Sequence, residues 1–291
     1  MIATKSLYLK SEFRRRHIMV GPDVWMDTES NPDFIEDPTL YRAWRIQAAA
    51  EGLRVRIGRW NVPGKPTAIL VDFKQFLTRQ NEILTDFWKK FGVDSLTGNW
   101  DYRESALFGY AAGRVIESFY RFNLDPSDKI VAQFHEWMTG TGLLYLKSAN
   151  VPIATVFTTH ATVIGRCIAG NNLPLYDGIL SYNADEKARQ FNVVARHSLE
   201  KKAAQNSDIF TTVSEITAQE CRQFLGRPVD VVTPNGFEPS FTPATDEEYI
   251  VLREKARQRL VTVASAMCGD EVPENAVLVG IGGRYEWKNK G

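Results

Sequence analysis

Short runs of β-branched and aromatic residues that alternate with amphipathic stretches constrain the fold of this chain more than any other feature. Apolar residues recur at helical spacing over 104–122 and over 185–206. Alternation of this kind indicates an α/β chain with a parallel sheet that is covered by helices on both faces. Strands buried on both faces are predicted at 17–20, 53–57, 67–72, 129–134, 153–157, 209–213, 229–233 and 276–281.

A charged helix predicted over 245–267 separates the last two of these strands. Thr245, followed three residues later by Glu248, has the pattern of a capping box and marks the start of the helix. A helix with one apolar face packs either on its own domain or against a partner, and the sequence leaves both readings open. The predicted apolar face consists of Tyr249, Leu252, Ala256, Leu260 and Val263.

Composition excludes several classes of protein. The 35 Lys and Arg residues balance 35 Asp and Glu residues, so no general attraction to nucleic acid or to anionic lipid is expected. No segment approaches the roughly 18 to 20 apolar residues that a membrane helix requires. Cys167, Cys221 and Cys268 are odd in number and far apart, a pattern that fits neither a disulfide ladder nor a CxxC metal site. These cysteines indicate a reducing, cytoplasmic location.

Polar residues stand directly after four of the predicted strands. Ligands of doubly wound folds bind beyond the carboxyl ends of the strands, so these residues are the first candidates for a site. A single histidine at a strand end is more often structural, but two of the four histidines in the chain fall in these clusters. The clusters are Phe134–Trp137, Phe157–Thr162, Phe210–Glu215 and Thr233–Gly236.

Known catalytic fingerprints are missing. The run Gly280-Ile-Gly-Gly-Arg-Tyr285 has Tyr285 where a dinucleotide-binding loop needs its third glycine, which argues against a nicotinamide enzyme. Serine hydrolase, zincin and P-loop motifs do not occur. Arg284, Lys288 and Lys290 follow the last predicted strand and would suit a diphosphate, although a solvated terminus would look the same.

Six long motifs occur in one order and together resemble the glycogen synthases of animals and fungi. The resemblance runs from about residue 18 to the end of the chain. The motifs are Gly21-Pro-Asp-Val-Trp25, Phe134-His-Glu-Trp137, Thr155–Thr162 with Gly165-Arg166, Phe210–Thr217, Val231-Val-Thr-Pro-Asn-Gly236 and Gly283–Gly291.

The resemblance implies the GT-B fold, in which two Rossmann-like domains with doubly wound parallel sheets face each other across a cleft. Residues 1–238 would form the acceptor-side domain without its first strand and its Gly-rich loop. Residues 239–275 would be a helical insertion, and 276–291 would begin the nucleotide-sugar domain. The implied reaction transfers glucose from UDP-glucose to the non-reducing end of an α-1,4-glucan such as glycogen, with retention and without a metal or other cofactor.

The resemblance also implies roles for individual residues. His160 would hydrogen-bond the transferred glucose, and Arg166 would help to hold the nucleotide sugar. Arg284 and Lys290 would neutralise the diphosphate leaving group. His135 and Glu136 would line the same cleft in a supporting role. The implied site residues are, in chain order, His135, Glu136, His160, Arg166, Arg284 and Lys290.

The chain also departs from the family pattern. Its first glycine is Gly21, and it stops at Gly291, where the second domain would begin. We therefore expect a fragment that is inactive alone, since half a cleft cannot enclose a nucleotide sugar. The alternative is a non-catalytic glucan-binding or assembly protein that lost the second domain. The choice between UDP-glucose and ADP-glucose stays open, as do homo-oligomer formation and regulation.

Overall fold

The computed structural model describes residues 16–24, 32–236, 239, 242–273 and 275–280. A division between Pro234 and Asn235 separates two compact units of the chain. No helix of the described residues is long and apolar enough to cross a membrane.

Eight strands occur in the described residues, and all of them lie in the first unit. They are β1 (Ile18–Pro22), β2 (Phe34–Glu36), β3 (Arg54–Trp60), β4 (Thr67–Asp72), β5 (Val131–His135), β6 (Ala154–Thr159), β7 (Ile209–Thr212) and β8 (Val231–Val232). The first unit also contains the helices α1 (Arg42–Ala50), α2 (Gln80–Phe91), α3 (Trp100–Asn123), α4 (Gly140–Ser148), α5 (Val163–Gly170), α6 (Ala184–Gln190), α7 (Val194–Asn206) and α8 (Glu215–Glu220). The second unit contains α9 (Asp246–Cys268).

The strands form two four-stranded sheets, and the α/β class with a Rossmann-like parallel sheet is confirmed. In the sheet with the order β5-β6-β7-β8, every neighbouring pair is parallel. The other sheet has the order β1-β4-β3-β2 and is mixed, since β3 runs antiparallel to both of its neighbours. A short turn from Asn61 to Pro66 joins β3 to β4, and so short a connection can join only antiparallel strands. The expectation of parallel strands throughout is therefore wrong at β3.

Helix α3 crosses α4 at close range because both helices carry glycine where they meet. A Cβ atom added to Gly109 would collide with the hydroxyl of Thr141, and one added to Gly142 would lie 2.5 Å from the carbonyl oxygen of Gly109. This crossing packs α4 on the main core and fixes the segment that follows β5. The core beneath it includes the fully buried side chains of Trp44, Leu107, Leu143, Phe157 and Phe210.

Two of the predicted helices have different bounds in the structure. The prediction over 104–122 is confirmed by α3, which begins at Trp100 after an Asn99 cap. The prediction over 185–206 becomes two helices, α6 and α7, because the chain breaks at Asn192, where φ is 56°. Asparagine tolerates this left-handed conformation better than most residues, which makes it a suitable point for the break.

The predicted start of the charged helix is confirmed by the cap of α9. The Thr245 hydroxyl accepts a hydrogen bond from the backbone N–H of Glu248 at 3.2 Å, and Glu248 Oε2 accepts one from the N–H of Ala244 at 2.8 Å. None of the residues in α9 is buried, so its predicted apolar face is exposed in this structure. Residues 276–280 carry no strand, and no other described residues of the second unit form one with which they could pair.

Candidate functional site

The parallel pairing of β5 with β6 brings two histidines together at the carboxyl ends of these strands. His135 ends β5, and His160 follows Thr159, the last residue of β6. His135 Nδ1 lies 3.2 Å from His160 Nε2, and the ring centroids are 5.5 Å apart. A hydrogen bond between these nitrogens needs one donor and one acceptor, so the contact disfavours a state in which both of them carry a proton.

Glu136 joins the same cluster through an unusual backbone conformation. Its φ of 62° and ψ of 166° fall in a region that is essentially confined to glycine, at a cost of about 1–3 kcal/mol for another residue. The conformation is held in place because the N–H of Glu136 donates to the Thr158 carbonyl at 2.9 Å. It lets Glu136 Oε1 accept a hydrogen bond from the backbone N–H of His160 at 2.9 Å. His135, Glu136 and His160 therefore lie together at one edge of the sheet.

The turn that carries His160 leads directly into α5. Thr162 caps this helix, since its hydroxyl accepts from the N–H of Gly165 at 3.0 Å. Arg166 follows on the first turn of α5, where its side chain is exposed. Within the described part of the chain its guanidinium forms no ion pair, which leaves it available to an anion.

Two buried glutamates reach this turn from other helices. Glu200 of α7 is fully buried. Its Oε1 accepts a hydrogen bond from the Thr159 hydroxyl at 2.8 Å, and its Oε2 accepts one from the Val163 N–H at 3.0 Å. Burial raises the pKa of Glu200 to about 8; its two hydrogen bonds oppose that shift, and the neighbouring Glu136 and Glu220 carboxylates add to it.

Glu220, at the end of α8, is 4% exposed. Its two oxygens accept from the hydroxyls of Thr162 at 2.7 Å and Tyr176 at 3.1 Å. A Cβ atom on residue 165 would collide with Glu220 Oε2, so the glycine of the Gly165-Arg166 motif makes room for this carboxylate.

Sequence reasoning missed both glutamates. The available signal was the position of Glu200, which stands beside Leu199 and three residues before Ala203, both members of the buried stripe of α7. A carboxylate at a core position is uncommon and marks a polar network or a functional site.

Trp137, which ends the Phe134–Trp137 motif, packs into the protein around the site. It stacks on Tyr102 with ring centroids 5.9 Å apart, and the Arg196 guanidinium lies 5.3 Å from its ring centroid. Both contacts indicate a packing role for this residue. Arg284 and Lys290 lie outside the described residues, so their predicted role at the diphosphate stays a prediction.

Among the described residues, no group of three or more His, Cys, Asp and Glu side chains could hold a metal ion. The predicted independence of the reaction from metal and other cofactors stays a prediction.

Comparison with known proteins gives a consistent result. The family model described as glycogen synthase matches residues 1–291. The chain is 33% identical over 300 residues to the glycogen [starch] synthase of Dictyostelium discoideum. The aligned region covers 100% of this chain and 33% of that protein. It is 30% identical over 296 residues to the liver glycogen [starch] synthase of Rattus norvegicus, covering 100% of this chain and 42% of the rat protein. The chain thus spans well under half the length of these relatives.

Proposed function

The chain belongs to the glycogen synthase family, and we propose that the protein of which it forms part transfers glucose with retention from UDP-glucose to the non-reducing end of an α-1,4-glucan. The observation that carries the proposal is the convergence of His135, Glu136 and His160 at the carboxyl edge of a parallel sheet. This edge is where sheets of this type bind their ligands.

The chemistry of glycosyl transfer fits the groups at this edge. Positive charge grows at the anomeric carbon while negative charge grows on the departing UDP. We assign the imidazole of His160 to the transferred glucose, because it can exchange hydrogen bonds with sugar hydroxyls and its position is fixed by its neighbours. The Glu136 carboxylate beside His160 would stabilise the positive charge that grows at the anomeric carbon.

Cations would stabilise the departing diphosphate in the same reaction. Arg166 is exposed at the start of α5 and is proposed to contact the nucleotide sugar. Arg284 and Lys290 are proposed to contact the diphosphate, and no metal or other cofactor is assigned to it. Charge-assisted contacts of this kind are worth about 1.5 to 3 kcal/mol each.

The proposed partners are the glucan acceptor and the nucleotide sugar. We also propose a cytoplasmic location, for which the support is the cysteine pattern. Cys167, Cys221 and Cys268 are free thiols in the structure. Free and dispersed cysteines are typical of reducing compartments.

Transfer of labelled glucose to glycogen by the full-length protein tests the proposal. We expect incorporation from UDP-glucose that persists in EDTA, with an ADP-glucose arm to identify the donor. His160→Ala should lower turnover by about one to several orders of magnitude, as loss of a transition-state contact does. Asn171→Ala, at the opposite and exposed end of α5, serves as the matched control and should leave turnover unchanged.

Absence of transfer by the full-length protein from either donor would overturn the proposed activity. It would favour a non-catalytic glucan-binding protein instead. Transfer that survives His160→Ala unchanged would remove His160 from the site while leaving the reaction itself in place.

A further inference from the structure

A single buried side chain holds both ends of the turn that carries His160. The turn comprises residues 160–162, and Glu200 accepts one hydrogen bond from each of the residues that flank it. The bond from the Thr159 hydroxyl is 2.8 Å long, and the bond from the Val163 N–H is 3.0 Å long. The carboxylate therefore spans the turn at its two ends.

The position of Glu200 is costly for the folded protein. It is fully buried, and no ion pair to it occurs among the described residues. Burial costs a carboxyl group hydration free energy in either protonation state, and the ionised form loses more than two hydrogen bonds return, so an apolar residue of similar volume would be the more stable choice. Packing alone does not account for a glutamate at this position.

We propose that Glu200 is a positioning residue, which holds the 160–162 turn so that the His160 imidazole stays against His135 and its N–H stays on Glu136. Its hydrogen bonds are to the residues directly before and after the turn. Among the described residues, no other carboxyl group makes hydrogen bonds to both of these residues. This inference rests on the proposed function for its kinetic readout.

The protonation state of Glu200 gives the inference a second measurable consequence. The groups whose charges interact with it come from several elements: Glu136 after β5, Glu220 at the end of α8, and the thiols of Cys167 and Cys221. The pKa of Glu200 is raised to about 8, chiefly by burial. Ionisation near that pH places a second negative charge close to the Glu136 carboxylate, and turnover should change there.

Two substitutions at this position separate the proposed role from simple packing. Glu200→Gln imitates the protonated carboxyl, because the amide can donate to the Thr159 hydroxyl while its carbonyl oxygen accepts from the Val163 N–H. Glu200→Leu keeps the volume but removes both acceptors. Glu186→Leu makes the same chemical change at an exposed position on α6 and serves as the control.

In the full-length protein, Glu200→Leu should lower kcat on the order of a hundredfold with little change in KM, the loss expected when a reacting group moves by about 1 Å. Glu200→Gln should restore most of kcat and should lack the inflection near pH 8 that we expect of the wild type. A folded Glu200→Leu protein with wild-type kcat would overturn the inference. If that variant does not fold, an inflection that persists in Glu200→Gln overturns it.

A crystal structure of either variant keeps this test separate from the test of the proposed function. Glu200→Leu should break the 3.2 Å contact between His135 Nδ1 and His160 Nε2, whereas Glu200→Gln should retain it. If the wild type transfers no glucose, the proposed function fails and this distance still decides the role of Glu200. An unmoved turn in a folded Glu200→Leu protein counts against the positioning role.

Discussion

Gly165→Ala is the substitution for which the structure gives the sharpest expectation. Alanine normally stabilises a helix by about 0.5–1 kcal/mol relative to glycine. At this position the new Cβ atom would collide with Glu220 Oε2 and lie 2.7 Å from the Thr162 hydroxyl oxygen. Overpacking costs about 1–3 kcal/mol. Displacing the Glu220 carboxylate from the hydroxyls of Thr162 and Tyr176 leaves buried polar groups unpaired, at a further cost of about 1–3 kcal/mol.

The expected net loss is therefore about 1 to 5 kcal/mol in the free energy of unfolding. Urea denaturation of the chain, followed by tryptophan fluorescence, measures it. Glu220→Ala empties the space that the new Cβ atom would enter, so Gly165→Ala should cost much less in that background. Gly21→Ala is the control, because among the described residues, apart from its two chain neighbours, the nearest atom to its Cβ would lie 3.9 Å away. Equal costs of Gly165→Ala with and without Glu220 would refute the steric argument.

Two further variants test the electrostatics and the strain of the first unit. Burial, and then the Lys201 charge, lower the pKa of His197 to about 4, so the folded state keeps this ring neutral. The wild type should lose stability as the pH falls from about 6.5 to about 4, and His197→Phe should remove that loss in a series of thermal melts. Glu136→Gly relieves about 1–3 kcal/mol of backbone strain but removes the acceptor of the His160 N–H. It should therefore lower turnover without lowering the melting temperature, whereas a large drop in melting temperature would show that no strain is stored there.

The sequence predicts the carboxyl edge of the parallel sheet well, and the reason is geometric. Predicted strands at 129–134, 153–157 and 209–213 correspond closely to β5, β6 and β7. In parallel strands a polar residue that follows one strand must lie near those that follow its neighbours. Periodicity therefore places both histidines at the carboxyl ends of strands, and the pairing of β5 with β6 in the structure brings them together.

Features that depend on tertiary packing escape the same reasoning. The pattern of Arg54–Trp60 identifies a strand but not its direction, which the short turn before β4 decides. The stripe of 185–206 identifies a helical stretch but not its break at Asn192. Most glutamates face solvent, so the position of Glu200 next to the buried stripe is only a weak signal, and the packing of α7 decides that this side chain is buried.

Three departures from local stability rules meet at a single turn. Glu136 has a backbone conformation that is essentially confined to glycine. Glu200 is a buried carboxyl group with no ion pair among the described residues. Gly165 has no side chain, which leaves room beside its helix for the Glu220 carboxylate. Each costs stability by itself, and such costs persist only where the surrounding contacts over-determine the arrangement. The contacts that do so here converge on His160, through its own N–H and through the residues on both sides of it. A fold selected for stability alone would relax each of these features independently, so their concentration at His160 argues that the placement of this imidazole is what the first unit maintains.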